Sequence, residues 1–263
     1  MYTEKHYNEV LSTFRELVLA AINVSEMSGK INTSTLGVEA TKIYTRLTLN
    51  CMTIQNVLPN SSGIWDFPSL AVLIRSYIET SHRYFYLSEK GLSEDEAEFR
   101  RHLYFYHLNM EKFRLFSAKP EHEILNEFKE KLPKALIEIK ALPFFKELTK
   151  YYKNKITAGN ADMHISDEMI SRKNNLINDN FSFYYRLLSN HAHGSPFATT
   201  SQSDERGRGL KNEAELFYVT LIMNITNKYL SATIKQQIEL LSLQQKCQNE
   251  LSVVSRHFDK IEV

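Results

Sequence analysis

Apolar residues recur at helical spacing through nearly every segment of this chain, and no stretch shows the strict alternation of a half-buried strand. That pattern restricts the chain to an all-α architecture. With 8 glycines and 6 prolines in 263 residues, there is little material for the many turns of a β-protein. No repeat of fixed period is visible, which sets solenoids aside. The expectation is a helical bundle of about seven helices ending in a long C-terminal helix, folded as a single domain over 1–263. Its core would lie at 68–194, with packing helices at 1–58 and 212–260.

The spacing predicts a first helix from about Thr3 to Met27 and a second from about Thr35 to Leu58, stopped by Pro59. A third, from about Pro68 to Lys90, is apolar round most of its circumference and should be central. Its exception is a polar stripe of Arg75, Glu79, His82 and Tyr86, whose members lie above one another. Arg75 and Glu79 fit an intrahelical ion pair that is costly to bury and needs further partners. Such a pair either fixes helix register or forms one wall of a site facing Arg186 and His193. Ser93 to Glu96 reads as a capping box that opens a fourth helix ending near Ser117. After Pro120 a further helix should kink or break at Pro133. Residues 143–155, PFFKELTKYYKNK, form a short amphipathic piece with a basic surface. TAGNADMHIS follows as a loop and candidate hinge, and Ser166 is placed to cap the helix leading into 181–194. The last helix starts near Asn212, and its thin apolar stripe beyond Leu230 fits packing on the first helix or on a second copy.

Charge is balanced, with 32 basic against 31 acidic residues, so no global field draws the chain onto nucleic acid or an anionic membrane. Any RNA contact must use local patches. Cys51 and Cys247 stand alone without metal-ligand spacing, which fits a reducing compartment and a core role for Cys51. The first residues, MYTEKHYNEV, spread charge through a helix and are not expected to be a signal peptide. No apolar run approaches the roughly 20 residues of a membrane span. The expected setting is soluble and cytoplasmic, without membrane contact.

The stretch FSFYYRLLSNHAHG, Phe181 to Gly194, concentrates the polar chemistry. On a helix, Ile177, Phe181, Tyr184, Tyr185, Leu188 and Ala192 form an apolar face, and Arg186, Ser189 and His193 share one flank of it. His191 falls on the opposite flank, beside Leu187 and Tyr184. Arg186 and His193 are two turns apart, about 10 Å along the axis, so one phosphate-sized group can bridge them. Gly194 and Pro196 end the helix and leave His193 at its C-terminus, where the dipole attracts a cation. The alternative is a hydrogen-bonded plug at a helix end. Beyond it runs the polar segment SPFATTSQSDERGRGLK, in which Arg206, Arg208 and Lys211 either close over an anion near His193 or form a solvated charge run.

Other chemistries lack their residues. Glu79 and His82 make an E-x-x-H spacing, but a di-iron site needs a second copy and more carboxylates. H-E-x-x-H, a Walker A loop, a GxGxxG and a G-x-S-x-G are absent, and no cofactor is expected.

Arg186-Leu-Leu-Ser-Asn-His191-Ala-His193 resembles the R-x4-6-H signature of the HEPN superfamily, through His191 and again through His193. The pairing of R-S-x-x-E at Arg75 to Glu79 with Y-x-x-L-S-x-x-x-H-G at Tyr185 to Gly194 is similar to a large bacterial helical family of unknown function. In that pattern the recurring groups are Arg75, Glu79, Tyr185, Ser189 and His193. Two departures stand in the signature: Leu187 follows the arginine where HEPN ribonucleases usually carry a polar residue, and His193 occupies the tyrosine position of R-x4-H-x-Y. The resemblance implies an HEPN-like core and a metal-independent endoribonuclease of a toxin-antitoxin or anti-phage locus. It would act on single-stranded RNA or tRNA as a homo-oligomer or with a partner protein from that locus. It implies His193, Arg186 and His191 as catalytic groups, with Arg75, Glu79, Tyr185 and Ser189 orienting them or holding phosphate. The competing expectation is a non-catalytic helical sensor or scaffold built on a buried Arg, Glu and His network.

Overall fold

In a computed structural model the chain is described at residues 2–59, 63–119, 124–177, 180–200 and 208–258, and these are all-α. They form twelve helices rather than about seven. The difference comes from short helices that periodicity merges with loops, and from a break in the terminal helix. The chain groups into two compact units, Met1–Ser88 with Asp167–Val263, and Glu89–Ser166. Both boundaries fall inside the 68–194 segment.

The first unit is built on α1 (Glu4–Met27), α2 (Thr35–Val57), α3 (Phe67–Ser88) and α11 (Glu213–Leu240). Tyr7, Leu11, Phe14, Leu17, Ala21 and Val24 give α1 one buried stripe, and Thr3 with His6 closes a capping box at its start. The α3 helix is buried on nearly every side, as its composition requires, and packs on α2 and α11. Its N-terminus is met by a carboxylate: the Phe67 N–H donates to the buried Glu215 at 2.7 Å. Gln237 of α11 ties four helices together, donating to Ser28 and Thr41 and accepting from the Tyr84 hydroxyl. The α11 helix stops at Leu240, Ser242 takes a positive φ, and the thin stripe continues as α12 (Gln248–Phe258), which packs on α1 and α11. Cys51 is fully buried, and burial pushes its thiol up to about 12.

Against α3 lie α8 (Asp167–Lys173) and α9 (Phe181–Ala192), followed by α10 (Pro196–Thr200). The helix that Ser166 was expected to cap is therefore only seven residues long and separate from α9. Asn175 at φ 52 and the Ser171 hydroxyl, bonded to both backbone polar groups of Ile177, turn the chain between them.

The second unit holds α4 (Glu94–Ser117), α5 (Ile124–Ala141), α6 (Pro143–Glu147) and α7 (Lys150–Thr157) around Phe99, Leu103, Phe128, Leu132, Ile139, Phe145 and Ile156. Ser93 accepts the Glu96 N–H as expected, but the Glu96 carboxylate turns to the buried Arg100 and to His164. α5 runs unbroken through Pro133. Among the described residues no helix is long and apolar enough to cross a membrane.

Candidate functional site

Three cross-helix contacts fix how α9 lies on α3. Phe67 meets His191 with ring centroids 4.7 Å apart, Arg75 meets Tyr185, and His82 meets Phe181 at 5.9 Å. Rising numbers on one helix pair with falling numbers on the other, so the two run antiparallel. The buried face of α9 is Phe181, Tyr184, Leu187, Leu188 and His191, rotated from the expected stripe so that Leu187 and His191 turn inward while Tyr185 is half-buried.

Arg75 and Glu79 form the expected pair, with Nε and Nη2 donating to one carboxylate oxygen at 2.9 and 2.7 Å. The further partner that burial demands is Tyr185. Its carbonyl accepts from Nη1 at 3.2 Å, and its ring lies 3.9 Å below the guanidinium carbon. Arg75 is 9% exposed, whereas the Glu79 side chain is 33% exposed. Burial raises the Tyr185 phenol; Arg75 opposes this, and the Glu79 and Asp167 carboxylates add to it.

One turn along α3 lies a second network that the sequence did not indicate. His82 is fully buried, with Nδ1 3.0 Å from Asp167 and Nε2 2.8 Å from the Tyr229 hydroxyl, which in turn lies 3.4 Å from Ser171. Nδ1 donates to the Asp167 carboxylate, and the Tyr229 hydroxyl donates onward to Ser171. Burial acts to raise the Asp167 carboxyl, but the His82 hydrogen bond and the charges of His82, Arg83 and Arg75 outweigh it and hold it below the ordinary carboxylate range. His82 was visible on the polar stripe. Asp167 and Tyr229, 85 and 147 positions away, carry no local spacing that would point to it.

Arg186 and His193 are both exposed, and among the described residues neither side chain has a hydrogen bond or ion pair. Ser189 lies half-buried between them. His193 is the C-cap of α9, its N–H bonded to the Ser189 carbonyl at 3.1 Å, and Gly194 takes φ 56 directly after it. The two R-x4-6-H readings separate here. Five residues put Arg186 and His191 on different sides of the helix, and His191 is 8% exposed, packed edge-on against Phe67 and near Phe197. Seven residues return His193 to the side of Arg186.

Arg75 and Glu79 do not lie opposite His193. Tyr185 and His193 are eight positions apart, about 12 Å along the axis. The antiparallel packing places His193 toward the Phe67 end of α3. Arg206 lies outside the described residues. Arg208 is exposed, and its neighbours dock elsewhere: the Trp65 N–H donates to the Gly209 carbonyl, and Lys211 pairs with Glu4 at 2.5 Å. No contact joins Arg208 to His193 among the described residues. No group of three His, Cys, Asp or Glu able to hold a metal occurs among them either. No family model, curated protein or solved structure matches the chain.

Proposed function

We propose that the chain is a metal-independent endoribonuclease of the HEPN type, working in toxin-antitoxin or anti-phage defence, with Arg186 and His193 as its catalytic residues. The observation that carries this reading is their shared exposure on one helix flank with no partner among the described side chains. A guanidinium and an imidazole so placed can both reach one phosphodiester.

In the proposed reaction the RNA 2'-oxygen bonds to the adjacent phosphorus as its proton passes to His193, and Arg186 holds the charge gathering on the phosphorane oxygens. The bond to the 5'-oxygen then breaks, and that oxygen takes a proton. The products are a 2',3'-cyclic phosphate and a 5'-hydroxyl. His191 is buried, so the second proton transfer falls to a histidine of a second copy. Arg75, Glu79 and Tyr185 act as positioning residues that fix α9.

A variant panel in an RNA cleavage assay tests the assignment. His193→Ala should lower cleavage about 10²- to 10⁴-fold and Arg186→Ala about 10²- to 10³-fold, with the helical content of both proteins unchanged. Wild-type rates in both variants would leave the reading without support. The full engagement of Arg75 favours a second reading, a non-catalytic helical module, in which a folded protein cleaves nothing.

A further inference from the structure

The α6–α7 segment of the second unit carries four lysines, Lys146, Lys150, Lys153 and Lys155, against the single acid Glu147. Its construction is one-sided. Phe145 and Ile156 are buried and Tyr152 packs on the unit's core, so α7 is anchored along one face. Arg114 of α4 holds its C-terminal end by donating to the carbonyls of Ala158 and Gly159. The opposite face presents Lys150, Tyr151, Asn154 and Lys155 to solvent. Elsewhere Lys5, Lys42, Lys131 and Lys211 pair with acids. Among the described residues none of the four on α6–α7 forms an ion pair.

Tyr151 sets this surface apart from an ordinary solvated charge run. It is 58% exposed although large and aromatic, Tyr152 braces it edge-on at 5.1 Å, and the Lys155 ammonium sits 4.6 Å from its ring centroid. An aromatic ring held outward among unpaired cations is the arrangement that stacks an unpaired base while lysines meet the flanking phosphates. We propose that the outer face of α7, with Lys146 at the end of α6, binds single-stranded RNA, Tyr151 stacking a base and Lys146, Lys150 and Lys155 contacting phosphates. The choice of RNA among polyanions rests on the ribonuclease reading.

The test is binding of a fluorescein-labelled single-stranded RNA to the full-length His193→Ala protein across a salt series, which separates binding from cleavage. Combined Lys146→Gln, Lys150→Gln and Lys155→Gln should lower the slope of log affinity against log salt by about 2. Tyr151→Ala should weaken binding by about 5- to 150-fold, and Tyr151→Phe should restore it. Circular dichroism checks that each variant keeps its helices. An unchanged slope in the triple variant, absence of RNA binding by the folded protein, or lysine-dependent binding to phosphatidylserine vesicles in place of RNA each overturns the inference. Cleavage by the wild type that ignores these lysines would sink the inference and leave the ribonuclease standing. Lysine-dependent binding without cleavage would do the reverse.

Discussion

Arg75 spends its hydrogen bonds on Glu79 and the Tyr185 carbonyl and rests its flat face on the Tyr185 ring, so it holds α9 to α3 at one point. Glu79→Ala leaves a nearly buried guanidinium without its carboxylate. The expected loss is about 2 to 3 kcal/mol in urea unfolding, less than for a fully enclosed pair because Glu79 is partly wet. A loss below about 1 kcal/mol would place the pair among ordinary surface bridges. Asp167 makes a separate prediction in pH. Its carboxyl is held below its unfolded value of about 3.9, so its contribution is complete above that pH and is lost as pH falls through the lower, folded value. The stability gap between wild type and Asp167→Asn should therefore be constant from neutral pH down to about 5 and close below about 3.9. A gap that widens on acidification contradicts the His82 contact as its source.

At the scale of elements, amphipathic spacing located the long helices because burial on one side repeats every turn. The same signal misplaced the α9 face by one position. Leu187 and Tyr185 are both apolar enough to point inward, and the choice between them is made by Phe67 and Arg75 on another helix. Of the kink or break expected at Pro133, the break does not occur: α5 is continuous, and the exposed ring costs a backbone hydrogen bond without ending the element. Pro133→Ala should therefore raise stability, by up to about 3 kcal/mol, in chemical denaturation. A loss would mean that a bend at Pro133 is needed to seat Leu132 and Leu136 on the core of the second unit.

At the scale of the whole molecule, the all-α class was legible because it follows from composition and period, which are local properties. The pairing of Arg75 and Glu79 with Tyr185 was half legible. Spacing places the first two on one turn, but only packing brings α9 beside them. The network of His82, Asp167 and Tyr229 was not legible, since it joins three helices with no shared motif. The division into two units escaped a reading by period because helices continue at the same spacing on both sides of Ser88 and Ser166. The proposed activity turns on the exposed pair at the end of α9. Its most direct test is incubation of the purified protein with mixed single-stranded RNA and tRNA in EDTA, beside His193→Ala, with end-group analysis of the fragments. Fragments ending in 2',3'-cyclic phosphate and 5'-hydroxyl should form with the wild type and disappear with the histidine. Intact RNA with a well-folded wild-type protein, or equal cleavage by the variant, would contradict it.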